Sequence, residues 1–149
     1  MRSNEAVKVT VPAPDHSEIC QEPHLLHGAL TDVIIAAAVE VHRELGPGLL
    51  ESAYHACLCH ELALRDLRFR REAALPIEYK KIHLDCGYRM DLVVEAKVAV
   101  ELKSKSIEKL LPLHQAQLLT YLRLSGMRVG LLINFNVRTL RDGIVRRVI

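Results

Sequence analysis

The feature that most constrains the fold is the alternation of apolar and polar residues between positions 90 and 103. If residues 95–97 form a turn, Val94 lies opposite Val98 in an antiparallel hairpin. Successive side chains of a strand point to opposite faces, so one face of the hairpin is then entirely apolar. That face consists of Met90, Leu92, Val94, Val98, Val100 and Leu102. A slip of one residue would mix charged and apolar side chains, so the pattern predicts this register.

The second face of the hairpin carries Asp91, Glu101 and Lys103, with Asp91 directly opposite Glu101. Two carboxylates facing each other across strands cost up to about 1 kcal/mol unless a cation lies between them. Hard oxygen ligands of this kind suit Mg²⁺ or Mn²⁺, which also take water and phosphate oxygens. Lys103 could stabilise negative charge on a phosphate, or orient or deprotonate a water molecule. From the spacing alone, a surface ion pair between Asp91 and Lys103 is the alternative.

The rest of the chain divides into helices and strands by the period of its apolar residues. Gly46 ends one helix and Pro112 opens another, while the charged run 68–72 is interpreted as a link. The predicted order is two helices, three strands, a helix and two strands, over residues 30–45, about 50–67, 75–84, 86–94, 98–104, 112–125, 127–135 and 144–149. A hairpin followed by a helical crossover predicts an α/β (α+β-like) fold, with a mixed β-sheet flanked by helices and 144–149 at its edge.

Length and charge are compatible with a single nucleic-acid-binding domain but do not require one. The 149 residues suit one core, which we place in residues 25–149, with a proline-containing irregular tail over residues 1–24. The formal charge is only +2, so any basic surface has to be local. Two arginine groups could follow a phosphate backbone or could be ordinary solvated surface: Arg65, Arg68, Arg70, Arg71 and Arg138, Arg141, Arg146, Arg147.

The cysteines and apolar runs bear on the cellular compartment. Cys20, Cys57, Cys59 and Cys86 form no CxxC pair and no zinc-binding pattern. The longest apolar run, residues 33–39, is too short to cross a bilayer, and the first ten residues contain no apolar segment. We therefore expect reduced, buried thiols in a cytoplasmic protein that has no membrane partner.

Several short motifs resemble a known group of proteins. Asp91, followed on the next strand by Glu101-Leu102-Lys103, resembles the active-site signature of the PD-(D/E)XK nuclease superfamily, although Arg89-Met90 replaces its proline. The segment Gly48-Leu49-Leu50-Glu51-Ser52-Ala53-Tyr54 is similar to the signature of the GxxExxY family, a branch of that superfamily. Segments 41–48, 87–91, 116–122 and 134–135 are also similar to this family. In total the resemblance covers roughly residues 30–149.

The resemblance implies a restriction-endonuclease-like core that hydrolyses phosphodiester bonds of a nucleic acid, with DNA the expected substrate. It implies that Asp91 and Glu101 are metal ligands for Mg²⁺ (or Mn²⁺) and that Lys103 is the catalytic lysine. Glu51, on an N-terminal helix, would be an additional acidic ligand. Without the resemblance, Glu51 could equally be a first-turn acid that the helix dipole favours.

The resemblance also assigns residues that would support the site or bind substrate. Gln117 and Tyr121 match a Q-x-x-x-Y element that helps to hold DNA or the lysine in related nucleases. We expect Gln117 to be a buried amide, which needs partners that the edge of the site could supply. We expect Tyr54 to pack in the core with its hydroxyl bonded, and so to support the site from below.

Two further functions remain open at this point. The same fold could act as a catalytically silent module that binds nucleic acid or protein, although the intact set of Asp91, Glu101 and Lys103 favours catalysis. A small domain with no separate specificity module is also consistent with a homodimer or a protein partner.

Overall fold

A five-stranded mixed β-sheet organises the computed structural model, which describes residues 26–104 and 109–149. The tail predicted for residues 1–24 lies outside these residues. In chain order the elements are α1 (Gly28–Leu45), α2 (Glu51–Leu64), β1 (Phe69–Ala74), β2 (Ile77–Tyr79), β3 (Ile82–Leu84), β4 (Arg89–Val94), β5 (Val98–Lys103), α3 (Pro112–Ser125), β6 (Val129–Asn134), a short 3-10 helix (Leu140–Gly143) and β7 (Ile144–Val148).

The strand order in the sheet is β1-β4-β5-β6-β7. Strands β5 and β6 are parallel and joined through α3, whereas the other neighbours are antiparallel. The predicted mixed sheet, its helical crossover and the edge position of the last strand are therefore confirmed. The carboxyl ends of β5 and β6, marked by the pair Lys103–Asn134, lie at one end of the sheet. Ligands commonly bind at such an end in α/β sheets.

Two predictions about the strands before the hairpin are wrong. Most of the charged run 68–72 is not a link but belongs to β1, an edge strand whose charged side chains reach solvent. The single strand predicted over 75–84 is instead two short strands, β2 and β3, which pair with each other in a separate two-stranded sheet. Lys80 and Lys81 separate them with φ of 46° and 68°, the left-handed backbone that a two-residue hairpin turn requires.

The two faces of the sheet are covered by different helices. Helices α1 and α2 pack over the face that carries Leu92, Val94 and Val100, and α3 packs over the face that carries Val93 and Ala99. Close approach of α3 depends on a glycine in β6. A Cβ added at Gly130 would lie 2.8 Å from Leu118 Cδ1 on α3, so the absence of a side chain lets the helix sit directly on the strand.

The register predicted for the hairpin is confirmed by the pairs Val94–Val98 and Leu92–Val100. Met90 departs from the prediction, because it packs with the α3 side of the sheet and not with Leu92 and Val94. This change of face coincides with a local irregularity beside Asp91. Pairing between β1 and β4 passes from Arg71–Leu92 to Ala73–Met90, and the intervening Glu72 has φ of 47°.

The described cysteines only partly match expectation. Cys59 is buried and Cys57 half-buried, but Cys86 is exposed in the loop after β3, and all three are free thiols. Within residues 26–104 and 109–149, no helix has the length and apolar character needed to cross a membrane.

Candidate active site

Strands β4 and β5 have no further paired residues beyond Leu92–Val100. The carboxylates of Asp91 and Glu101 lie between the strands at this end, which is here called the fork. The Asp91 N–H donates to Glu101 Oε1 at 3.1 Å, and the Leu102 N–H donates to Asp91 Oδ2 at 2.8 Å. Each carboxylate thus replaces a carbonyl that the ladder would otherwise supply. The side chains of Asp91 and Glu101 are brought together as predicted, through bonds to each other's strand.

Glu101 is a buried carboxylate, with only 5% of the residue exposed. Burial, and next the negative charge of Asp91, raise the pKa of Glu101 from 4.5 to about 8, while the bond from the Asp91 N–H and the charge of Lys103 oppose this rise. The site therefore holds two adjacent carboxylates that resist simultaneous ionisation. A cation bound between them would remove that conflict.

Glu51 lies in the first turn of α2, close enough to the fork for the charges of Asp91 and Lys103 to affect its ionisation. The residue is exposed overall, but partial burial of its carboxyl is the main cause that raises its pKa, and the charge of Asp91 raises it further. Lys103 and His55 act in the opposite direction. Because Asp91 and Lys103 both influence its ionisation, Glu51 belongs to the electrostatic environment of the site.

Tyr54 holds the turn that delivers Glu51. Its hydroxyl donates to the Gly46 carbonyl at 2.5 Å and accepts from the Leu49 N–H at 3.2 Å. Its buried ring stacks on Phe135 with centroids 4.4 Å apart. The predicted core position with a bonded hydroxyl is confirmed, and since Tyr54 is fully buried, it supports the site from within the core.

His55 and Glu72 are two site neighbours that the sequence reasoning did not assign. His55 Nε2 lies 2.9 Å from the Asp91 carbonyl oxygen and 3.9 Å from Glu72 Oε1. Glu72 stands at the irregular point of β1 and raises the pKa of Glu51. The position of His55, four residues after Glu51 on one helix face, is a signal that could have found it. Glu72 carries no such signal, because its location depends on pairing with β4.

The α3 side of the fork is formed by Tyr121 and Gln117. Gln117 Nε2 donates to the Tyr121 hydroxyl at 3.1 Å. Burial is the main cause that raises the pKa of the Tyr121 hydroxyl, the Gln117 bond lowers it, and the charges of Glu101 and Asp91 raise it. This bond joins the two residues of the Q-x-x-x-Y element, and their predicted role in holding DNA or the lysine stays a prediction. The expectation that Gln117 is buried is wrong: one helical turn before Tyr121, its side chain faces solvent.

Lys103 is the last residue of β5, two residues after Glu101. It is half-buried, its main chain is anchored by the Phe135 N–H at 2.9 Å, and it pairs in register with Asn134. Its positive charge lowers the pKa of both Glu51 and Glu101. The charge of this one lysine therefore acts on acidic groups from both α2 and β5.

Comparison with known protein families decides the relationship. The family model of the PD-(D/E)XK nuclease superfamily matches residues 28–148, which is most of the chain. The chain belongs to the PD-(D/E)XK nuclease superfamily. No curated protein and no solved structure matches it. Membership confirms the superfamily predicted from Asp91, Glu101 and Lys103 and supports a nuclease-type function on a restriction-endonuclease-like fold.

PD-(D/E)XK nucleases generally use a divalent metal, and carboxylate oxygens are suitable ligands for one. In the described part of the chain, no three histidine, cysteine or carboxylate side chains lie close enough together to hold a metal ion. Magnesium in such enzymes needs only one or two carboxylates, because water and substrate phosphate complete its shell. The pair Asp91–Glu101 fits this requirement. The role of Glu51 as an additional ligand stays a prediction.

The arginine groups of this superfamily member are partly committed to bonds within the chain. Arg65 pairs with Glu61 and Arg68 with Glu95, the latter at 3.0 Å. In the second group, Arg146 donates to a main-chain carbonyl near the start of α1 and Arg147 to the side chain of a glutamine in α3. These contacts favour a structural role for much of both groups.

Proposed function

We propose that this chain is a divalent-metal-dependent nuclease that hydrolyses phosphodiester bonds of a nucleic acid, with DNA the expected substrate. The observation that carries the proposal is the buried carboxylate of Glu101 held against Asp91, with Lys103 two residues along the same strand. Two hard oxygen donors beside an ammonium group are the components that metal-assisted phosphodiester hydrolysis needs.

Asp91 and Glu101 are proposed to hold Mg²⁺ or Mn²⁺, which would supply Lewis-acid activation of the phosphate and of a water molecule. Lys103 contributes a positive charge at the same end of β5, where it stabilises negative charge that develops on the phosphate. Glu51 is proposed as an additional acidic ligand from α2. His55 is proposed to orient the Asp91 main chain through its 2.9 Å contact with the carbonyl.

The GxxExxY branch is part of the proposal, and features of Gly48, Glu51 and Tyr54 support it. Gly48 has φ of 96°, a backbone conformation that favours glycine. Glu51 contributes its carboxylate to the electrostatics of the fork, and Tyr54 ties down the turn before α2. In this proposal, Gly48 and Tyr54 shape the turn before α2, and that turn positions the side chain of Glu51 at the site.

Cleavage of labelled DNA and RNA, single-stranded and double-stranded, tests the proposal in Mg²⁺ or Mn²⁺ against EDTA. We expect metal-dependent cleavage that falls by at least a hundredfold in Asp91→Ala and Lys103→Ala, since both groups act at the reacting phosphate. Lys97→Ala, at the opposite end of the hairpin, is the matched control and should retain activity. Cleavage that survives both site substitutions would refute the mechanism, and binding without cleavage in either metal would favour a catalytically silent module.

A further inference from the structure

The small sheet β2–β3 belongs to an arm, defined as residues 75–88. The arm extends from the end of the main sheet at which Asp91 and Glu101 lie. It grows from the β1–β4 pair, where Ala74 pairs with Arg89 and the Leu75 N–H donates to the Tyr88 carbonyl at 2.9 Å. Arg89 is only two residues before Asp91. From Asp91 to the tip at Lys81 the chain spans ten residues, so the tip lies within about 35 Å of the carboxylates.

One face of the arm is apolar and open to solvent. The cross-strand pairs Ile77–Leu84 and Tyr79–Ile82 place four large side chains on the same face, because directly opposed residues share a face. Tyr79 is 57% exposed and Ile82 58% exposed, values far above those of core residues. Two-stranded hairpins have little stability of their own, so an exposed apolar face on one indicates a binding surface.

The tip of the arm is positively charged. Lys80 and Lys81 form the turn and are both exposed. Lys80 Nζ lies 5.4 Å from the centroid of the Tyr79 ring, which is within cation–π distance, and the tyrosine is still 57% exposed. Ammonium groups and an aromatic face are thus adjacent at the tip.

A second exposed aromatic side chain stands where the arm meets the site. Tyr88 is 45% exposed, and its ring contacts that of Tyr121 edge-on with centroids 6.3 Å apart. Tyr121 in turn experiences the charges of Asp91 and Glu101. Of the four tyrosines of the chain, Tyr79 therefore lies at the tip of the arm and Tyr88 lies where the arm joins the main sheet near the fork.

The size of the apolar face argues against a second copy of the chain as its occupant. At about 200 Å² for each large side chain, the three exposed members of the face, Tyr79, Ile82 and Leu84, together expose about 300 Å², and Ile77 is only partly exposed. A stable protein interface needs about 800 Å² from each partner. A nucleic-acid strand needs less area, because its affinity comes from phosphate contacts and from stacking of individual bases. A strand presents phosphates and bases in turn, so lysines that contact phosphates beside aromatic rings that stack on bases suit it well.

We propose that the arm binds unpaired nucleotides next to the scissile bond, with Tyr79 and Tyr88 stacking on bases and Lys80 and Lys81 contacting phosphates. The substrate is then a single strand, or the single-stranded part of a flap or junction, because stacking requires bases that are free of a duplex. The link to cleavage rests on the proposed nuclease function, whereas binding by the arm is measurable without it.

Fluorescence anisotropy in EDTA measures that binding with three probes of about 20 nucleotides: single-stranded DNA, RNA of the same sequence and blunt duplex DNA. We expect a single strand to bind at least tenfold more tightly than the duplex. The double variant Tyr79→Ala/Tyr88→Ala should lose at least tenfold in single-strand affinity, and Tyr79→Phe/Tyr88→Phe should retain it, since stacking needs only the ring. Tyrosine-dependent binding of either the DNA or the RNA strand supports the proposal.

The lysines are tested through the salt dependence of the same binding. Lys80→Ala/Lys81→Ala should reduce the slope of log K against log salt by about 1.4, at about 0.7 for each single-strand phosphate contact. The matched control is Lys97→Ala/Arg123→Ala, which removes the same charge from exposed positions at the other end of the sheet. An equal reduction in the control would overturn the assignment of phosphate contacts to the tip.

Other results separate failure of the arm from failure of the nuclease. Equal affinity for strand and duplex, or unchanged affinity in a natively folded tyrosine-to-alanine variant, would overturn the arm proposal even if cleavage occurs. Tyrosine-dependent binding of single strands without cleavage in any metal would support the arm and refute the nuclease. A dimer in sedimentation that dissociates in Tyr79→Ala would assign the face to a second copy and overturn the proposal.

Discussion

Replacing Glu101 by glutamine is expected to stabilise the metal-free protein while removing a proposed metal ligand. In the folded chain, burial and Asp91 raise the pKa of Glu101 from 4.5 to about 8. At pH 7, Glu101 lowers the free energy of unfolding by about 3 kcal/mol relative to a neutral side chain of the same shape. The pH lies about 2.5 units above the unfolded-state pKa, and each unit corresponds to about 1.36 kcal/mol. Glutamine keeps an acceptor for the Asp91 N–H and offers an N–H group to the Asp91 carboxylate.

The sign of the effect follows from the direction of the pKa change. A raised folded-state pKa means that the contribution of Glu101 to stability is complete below pH 4.5 and is lost as the pH rises toward about 8. The difference between wild type and Glu101→Gln should therefore be small at pH 4.5, grow through neutrality and level off above pH 8. For a chain of this size, 3 kcal/mol corresponds to about 6–12 °C in Tm.

Urea denaturation in EDTA at several pH values measures this difference directly. Adding Mg²⁺ should stabilise the wild type but not Glu101→Gln, because binding to the folded state alone raises its stability. Glu95→Gln, a carboxylate at the turn of the same hairpin, is the control and should not gain stability between pH 5 and pH 8. A Glu101→Gln variant that is less stable than wild type at pH 8, or a difference that does not change with pH, would refute the reasoning.

Two further predictions concern parts of the fold that position the site. Tyr54→Phe should lower the free energy of unfolding by about 1–3 kcal/mol, because the Gly46 carbonyl and the Leu49 N–H lose their buried partner; thermal denaturation checks this, and an unchanged Tm would contradict the role assigned to the hydroxyl. Gly130→Ala should cost about 1–3 kcal/mol in a urea titration, since its Cβ would lie 2.8 Å from Leu118 Cδ1; a neutral result would show that α3 moves away without penalty.

The sequence predicts best where the periodicity of the chain coincides with pairing between neighbours. Alternation between residues 90 and 103 was sufficient for the hairpin register, because only one alignment separates charged from apolar side chains. The two ends of helix α3 are also predictable from the sequence, since Pro112 begins the helix and Gly126, with φ of 73°, follows its last residue.

The errors arise where distant parts of the chain decide the local structure. The charged residues of β1 look like a loop until β4 is available to pair with them, and an edge strand tolerates such a composition. The left-handed backbone at Glu72 coincides with a gap in that pairing beside Asp91, and Met90, the residue before Asp91 in β4, packs on the other face. The apolar residues around Gln117 in α3 predict a buried amide, but among the described residues this side of the helix is exposed.

The central claim is that Asp91 and Glu101 hold a divalent cation at the fork of β4 and β5. Calorimetric titration of the protein with Mn²⁺ tests it most directly, because it needs no substrate. We predict saturable binding in the wild type and in Glu95→Gln, and loss of that binding in Asp91→Asn and Glu101→Gln. Undiminished Mn²⁺ binding in both site variants would contradict the account.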